Sequence, residues 1–221
     1  MLEVPRLRSY PRRASSLDLF SGVWPTREVD FVRVLRDVVS EMEATGVRYA
    51  LIGGFAMALR GVARGTADLD FILALEDMQK THALLTKHGY HQVFHNDNVS
   101  HYQAADRSWG RIDILHAFRK PSLGMLARAE LMVVEPGISV RVAQPEDIIG
   151  LKVQALCNDP ARAESDWHDI RLLIRTARES GRELDWELVG DYLEVFGLKA
   201  KLDSLREDHG CLLYTSPSPR D

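Results

Sequence analysis

The chain has 221 residues, of which 45% are hydrophobic and 27% charged, and its formal net charge is −4. This length suits one α/β domain with a small helical domain, and this composition is typical of a globular rather than a disordered protein. The negative charge does not favour a strongly basic nucleic-acid binder, and because no apolar run approaches 20 residues we expect no membrane span.

Both ends of the chain are expected to lie outside the fold. Residues 1–25 contain several prolines and no hydrophobic period, which predicts a flexible arm. Residues 211–221, CLLYTSPSPRD, match the translation of a sequencing-library adapter, so we expect the native chain to be readable only to about Gly210. Cys157 is then the one native cysteine, which predicts neither a disulfide framework nor a cysteine metal site and favours a reducing, cytoplasmic location.

Hydrophobic spacing predicts helices alternating with short strands up to residue 143. In chain order we expect a helix from residue 26 to a stop at Gly46, a strand at 49–52, a short helix at 55–59, a buried strand at 68–75, a helix at 76–88, two strands around the 96–98 turn, a strand at 111–115 and a hairpin within 131–142.

From Pro145 onward the pattern is helical, because a proline followed by two acidic residues is typical of a first helical turn. We expect helices near 145–157, 162–180 and 185–207. The sequence therefore predicts an α/β (α+β) fold with a mixed sheet at 26–143, followed by a small helical domain at 144–210.

Two carboxylates lie close together in the strand DLDFILAL. Alternate residues of a strand share a face, so Asp68 and Asp70 point together while Leu69 and Phe71 point into a core. Two such carboxylates repel each other, and burying them costs free energy unless a positive charge lies between them. Mg²⁺, or Mn²⁺, suits oxygen ligands of this kind. Asp113, in RIDIL, repeats the arrangement, and three converging carboxylates can hold two metal ions for displacement at phosphorus.

The glycine pair Gly53-Gly54 follows the strand at 49–52. Without side chains, its backbone can approach a phosphate closely. A glycine pair alone is weak evidence for a site. A glycine pair, a short helix, a DxD strand and a later isolated strand aspartate in this order are far more specific.

The segment GGFAMALRGVARGTADLDF, residues 53–71, resembles the signature of the nucleotidyltransferase superfamily with the polymerase-β-like fold. LIGGFAMALRG, with the downstream PEDIIGLKVQAL and DWHDIRLLI, is similar to the AbiEii-type branch, which contains toxins of type IV toxin–antitoxin systems. The resemblance covers about residues 45–175. It implies a nucleotidyltransferase domain at 26–143 and a helical domain at 144–210 that closes over nucleotide and substrate.

The resemblance also assigns site residues. It implies catalysis and metal binding by three carboxylates and contact with the nucleotide by further residues: Asp68, Asp70 and Asp113 for the metal ions, and Gly53, Gly54, Lys152 and Asp169 for the nucleotide. From the sequence alone, Lys152 and Asp169 are also compatible with solvated helix faces. Arg64 and Thr66, in the loop before the DxD strand, either contact phosphate or only order that loop.

The expected reaction moves a nucleoside monophosphate from a nucleoside triphosphate (NTP) to an acceptor hydroxyl. In the AbiEii-like setting the acceptor is the 3′ end of tRNA, and the protein is a toxin with a cognate antitoxin encoded nearby. One alternative is nucleotidyl transfer to a small molecule such as an antibiotic. Another is a non-catalytic nucleotidyltransferase-like antitoxin or regulator, which predicts the loss of a metal-binding carboxylate, whereas all three are present.

Overall fold

The computed structural model describes residues 29–210, with side chains through residue 207. The predicted arm at 1–25 lies outside the described residues, and so do the adapter-like residues 211–221. Within the described part the strands are β1 Tyr49–Ile52, β2 Asp68–Ala74, β3 Tyr90–His95, β4 Val99–Ala104, β5 Arg111–Ala117, β6 Glu130–Glu135 and β7 Ile138–Val142.

Helices alternate with the strands in the first two thirds of the chain and follow them in the last third. In the described part they are α1 at residues 31–44, α2 Gly53–Leu59, α3 Met78–Lys87, α4 Lys120–Arg128, α5 Pro145–Asn158, α6 Ala163–Glu179, α7 Trp186–Val195 and α8 Leu202–Gly210. The middle turn of α1, Leu35–Val39, is wound as a π-helix. No helix of the described residues is both long and apolar enough to cross a membrane.

The described strands form one seven-stranded sheet in the order β3-β4-β5-β2-β1-β7-β6. β2 pairs parallel with β5, and β1 pairs parallel with β7. The four other pairings are antiparallel. The predicted α/β fold with a mixed sheet is therefore confirmed.

Burial along the strands explains which of them are central. All four residues of β1 are buried, and β2 is buried from Phe71 to its end. Such runs suit strands covered on both faces. β3 buries only Tyr90 and lies at one edge of the sheet. β2, which carries Asp68 and Asp70, is therefore held on both sides by neighbouring strands.

A contiguous hydrophobic core runs from α1 to α8 and includes residues from both of the predicted domains. Within α5, Ile148, Ile149 and Val153 are buried, and this helix packs against α6 and α7. These helices share one hydrophobic core with the sheet. The predicted boundary between two domains at residue 143 therefore stays a prediction.

The prediction of one helix near 185–207 was wrong. The chain there forms α7 and α8, separated by a short turn at Lys199–Lys201. Gly197 adopts φ +71, and its N–H donates to the carbonyl of Glu194 at 3.0 Å. A glycine in the left-handed conformation ends a helix, because it satisfies terminal carbonyls without a Cβ clash. Helix α4 is an addition to the predicted elements.

A buried carboxylate joins α4, α5 and α7. Asp147 is fully buried. It accepts hydrogen bonds from Arg128 Nη2 at 2.7 Å and from the Tyr192 hydroxyl at 2.8 Å. The Tyr192 ring lies against α5 at Gly150, where a Cβ would stand 2.6 Å from ring carbons. A side chain at position 150 would therefore displace a ring that is fixed at its far end.

We expect Gly150→Ala to destabilise the protein relative to Gly190→Ala by about 1–3 kcal/mol, the usual cost of overpacking. Both glycines are helical and buried, so the gain in helix propensity is the same in both variants. At Gly190 the nearest atom to an added Cβ is the flexible end of Leu202, at 3.2 Å. Urea unfolding of the two variants measures the difference, and equal stabilities would contradict this account.

Candidate active site

The central strand pair brings the predicted carboxylates onto one face of the sheet. In the parallel register of β2 and β5, Asp70 lies directly opposite Asp113, and Asp68 lies opposite Arg111. Leu69 and Ile112, on the other face, are buried. Because registered residues of adjacent strands are nearest neighbours, Asp70 and Asp113 face the same space.

Asp70 is an acid in a partly dry environment. Burial raises the pKa of Asp70 to about 6, and the negative charges of Asp113 and Asp68 act in the same direction. The charge of Lys152 and a hydrogen bond from the backbone N–H of Gly54 oppose the rise. The pKa of Asp70 therefore stays raised despite these two stabilising interactions.

Asp113 has partners on its other side. Its Oδ1 lies 2.7 Å from His101 Nδ1 and 3.2 Å from Arg111 Nη2. His101 lies on β4, directly opposite Asp113 in the antiparallel register. His101 was not predicted as a site residue. The sequence gives one signal for His101: it lies in the strand expected after the 96–98 turn, where alternate residues share a face.

The two glycines are required by what lies against them. Gly53 adopts φ +67, and a Cβ there would stand 2.0 Å from Asp70 Oδ2. A Cβ on Gly54 would stand 2.9 Å from Thr66 Cβ. The Thr66 hydroxyl donates to the carbonyl of Asp68 at 2.9 Å, so Thr66 orders the loop before β2. A phosphate contact by Thr66 stays a prediction.

The opposite wall carries a buried charge network. Lys152 Nζ donates to Asp166 Oδ1 at 2.9 Å and to Asp169 Oδ2 at 2.7 Å. Arg64 also pairs with Asp169, and Arg162 Nε lies 3.4 Å from Asp166 Oδ2. Asp166 and Asp169 are 1% and 2% exposed, and Lys152 is 8% exposed. The alternative of solvated helix faces is therefore wrong for both Lys152 and Asp169.

These walls enclose a cleft of about 390 Å³. Seven of the nine predicted site residues line it: Gly53, Gly54, Arg64, Thr66, Asp70, Asp113 and Lys152. His101 and Arg162 line it as well. Asp68 lines an adjoining depression beside Arg111, and Asp169 lies behind Lys152. The structure thus places Asp169 where it positions the lysine.

Three oxygen-donor side chains on one sheet face suit a hard divalent cation such as Mg²⁺, and a cation there would stabilise the charged form of Asp70, whose pKa is raised by burial. With the side chains as they stand, the described residues contain no group of three or more His, Cys, Asp or Glu that could hold a metal ion. Asp113 is engaged by His101 and Arg111 instead. The donor chemistry fits a metal, and the closer of these contacts on Asp113 are to Oδ1.

No protein-family model matches the chain. No curated protein sequence matches it either. Solved structures do match. The chain is similar to the solution structure of the antibiotic-resistance factor ANT(2'')-Ia, with a TM-score of 0.54 and 14% identity over 81% of this chain and 97% of that one.

Two further structures show the same likeness. A crystal structure of ANT(2'')-Ia in complex with adenylyl-2''-tobramycin gives a TM-score of 0.53 and 17% identity, over 79% of this chain and 97% of that one. An antigenic nucleotidyltransferase-like protein from Paracoccidioides brasiliensis gives 0.50 and 16%, over 80% and 91%. At these identities the likeness is one of fold alone, shared with an antibiotic-resistance factor and a nucleotidyltransferase-like protein.

We expect Gly53→Ala to destabilise the protein by about 1–3 kcal/mol more than Gly46→Ala. The two glycines share nearly the same φ, +67 and +69, so the cost of a left-handed alanine is matched. Only at Gly53 does the added Cβ meet Asp70, since Gly46 has nothing within 4 Å. Urea unfolding compares the two. Gly53→Ala should cost less in an Asp70→Gly background, which removes every side-chain atom of residue 70 that the added Cβ would meet. An unchanged cost in that background would exclude Asp70 as the cause.

We expect Lys152→Met to cost about 3–5 kcal/mol, because it leaves two buried carboxylates short of a partner. The matched control is Lys87→Met, which removes a surface pair with Glu41 and should cost at most about 1 kcal/mol. Thermal and urea unfolding measure both variants. Similar losses in the two would show that the buried network contributes no more than an exposed pair.

Proposed function

We propose that the protein transfers a nucleoside monophosphate from an NTP to an acceptor hydroxyl and releases pyrophosphate. One observation carries the proposal. Asp70 and Asp113 lie side by side on parallel strands, in one cleft with a glycine-lined wall and a cationic wall. Adjacent carboxylates facing cations across a cleft suit metal-assisted transfer at phosphorus.

Each wall supplies a separate part of the reaction. The bare backbone at Gly53-Gly54, with Arg64 and Lys152, would bind and orient the triphosphate. Asp70, Asp113 and Asp68 would hold Mg²⁺, which neutralises the charge that develops on the triphosphate. The acceptor hydroxyl gives up its proton to solvent, and its oxygen forms a bond to the α-phosphorus. The bond from that phosphorus to the oxygen that bridges to the β-phosphorus breaks, and pyrophosphate leaves with that electron pair.

The helical part completes the cleft. Lys152 lies on α5, and Arg162 lies in the turn before α6. Their carboxylate partners Asp166 and Asp169 are on α6, so the cationic wall is anchored in the helical part. We infer that the predicted helical domain at 144–210 closes the nucleotide site and helps to select the acceptor.

The acceptor separates two versions of this function. In the AbiEii-like version the acceptor is the 3′ end of tRNA, and the protein is a toxin whose partner is an antitoxin. In the other version the acceptor is a small molecule such as an antibiotic. ANT(2'')-Ia, an antibiotic-resistance factor, shares the fold, and this is compatible with the second version.

A non-catalytic nucleotidyltransferase-like regulator is the rival from another class. Such a protein has no need to keep several carboxylates on one face of the central strands. Asp68, Asp70 and Asp113 all lie on that face, which favours the enzyme.

We expect Asp70→Asn to lower the rate of transfer by about 10²–10³-fold, since an electrostatic contact at phosphorus contributes several kcal/mol. The assay combines Mg²⁺, labelled NTPs and either total tRNA or a panel of antibiotics. Label on RNA supports the toxin, and label on a drug supports small-molecule transfer.

The matched control is Asp203→Asn, a change of an exposed aspartate on α8, which should leave the rate unchanged. NTP binding without transfer, in the wild type and in both variants, would support the regulator and overturn the enzyme.

A further inference from the structure

A second cavity, of about 260 Å³, adjoins the catalytic cleft. We call it the acceptor cavity. The two spaces share Leu115 and Leu151 as lining residues, so they meet at these side chains. Apolar residues form most of its wall: Ile72, Phe118, Met125, Tyr192 and Phe196.

The acceptor cavity lies along the same sheet face as the carboxylates. Ile72 follows Asp70 by two residues on β2, and Leu115 follows Asp113 by two residues on β5. Two residues of a strand span about 7 Å, and alternate residues share a face. A molecule in the acceptor cavity that extends past Leu115 and Leu151 would therefore reach the space beside Asp70 and Asp113.

The charge of the wall narrows the class of ligand. Among the residues that the structure describes, none that lines the acceptor cavity is acidic, and Arg119 brings a positive charge to it. The buried carboxylate nearest along α5, Asp147, is held by Arg128 and the Tyr192 hydroxyl. A polycation in the acceptor cavity would meet no unpaired carboxylate among the described lining residues, and it would be repelled by Arg119.

Apart from Arg119, the polar groups of the described wall are neutral. Asn98, Ser122 and Gln154 line the acceptor cavity, and so does His116, whose pKa is lowered by burial. A mostly apolar wall with a few neutral hydrogen-bonding groups is typical of sites for small organic molecules.

We propose that the acceptor cavity binds the molecule that receives the nucleotide, and that this molecule is small, uncharged, aromatic or aliphatic in its body, and bears a hydroxyl. The assignment rests on the proposed function. It excludes polycationic aminoglycosides as preferred acceptors. The nucleotide lies in the catalytic cleft, and the body of the acceptor lies in the cavity with its hydroxyl turned toward Asp70 and Asp113.

The first test measures binding without catalysis. The probe is N-phenyl-1-naphthylamine, a neutral aromatic dye whose fluorescence rises in apolar cavities. We expect saturable one-to-one binding to the full chain. Gln154→Trp, which fills the cavity from its exposed rim, should weaken the probe's Kd at least tenfold. Cys157→Trp, one turn further on the exposed side of α5 and outside the lining, should change it less than twofold.

Competition with the probe identifies which kind of molecule occupies the acceptor cavity. Saturating ATP with Mg²⁺ should leave probe binding unchanged, and tobramycin should not displace the probe. Arg119→Glu should allow tobramycin to compete, because it turns the one positive charge of the described wall into a negative one. Displacement by ATP would show that the cavity binds the nucleotide's base, and displacement by tobramycin from the wild type would show that it accepts polycations. Either result overturns the proposal.

The second test measures transfer. With neutral aromatic and aliphatic alcohols as acceptors, Gln154→Trp should raise KM at least tenfold with kcat changed less than threefold, and the probe should inhibit competitively against the acceptor. Normal transfer in Gln154→Trp, or transfer to tobramycin in preference to the alcohols, refutes the acceptor cavity alone. Absence of transfer to every acceptor, with the expected probe binding, refutes the proposed function and leaves a neutral-ligand cavity.

Discussion

The repulsion between Asp70 and Asp113 is the constraint on which the rest of the site depends. The parallel register of β2 and β5 sets the two carboxylates side by side, and burial makes their negative charges costly. The structure answers this cost locally. His101 and Arg111 contact Asp113, and the Gly54 N–H and the charge of Lys152 stabilise the charged form of Asp70. Each of these contacts comes from a different element around the central strands.

The same constraint explains the chemistry of the walls. The backbone at Gly53 passes so close to Asp70 that only glycine fits, and this leaves bare amide backbone at the base of the cleft. Across the cleft, three cations share two buried carboxylates within the described part of the chain. Lys152 pairs with both Asp166 and Asp169, Arg64 pairs with Asp169, and Arg162 pairs with Asp166. One positive charge is left in excess on the side that faces Asp70. A cleft with one acidic and one cationic wall suits a triphosphate with its metal ions.

The sequence alone predicted most of this arrangement, because it depends on local rules. Alternation along DLDFILAL places Asp68 and Asp70 together, and the hairpin and strand boundaries follow from turn residues and hydrophobic runs. The features that it missed depend on contacts between distant parts of the chain. His101 reaches Asp113 only through the pairing of β4 with β5. The burial of Asp166 and Asp169 depends on α5 packing against α6, and the break after α7 depends on the backbone conformation of Gly197.

The order of the strands along the chain affects how the protein emerges during synthesis. β2 pairs on one side with β1, which precedes it, and on the other side with β5, which follows only after α3 and the β3–β4 hairpin. Until β5 has been made, the aliphatic half of β2 has one unpaired edge, and such an edge can pair with other chains. In the nascent protein this edge of β2 therefore stays exposed to pairing with other chains until the strand that carries Asp113 docks on it, whereas β6, β7 and the cationic wall of the cleft are added only afterwards.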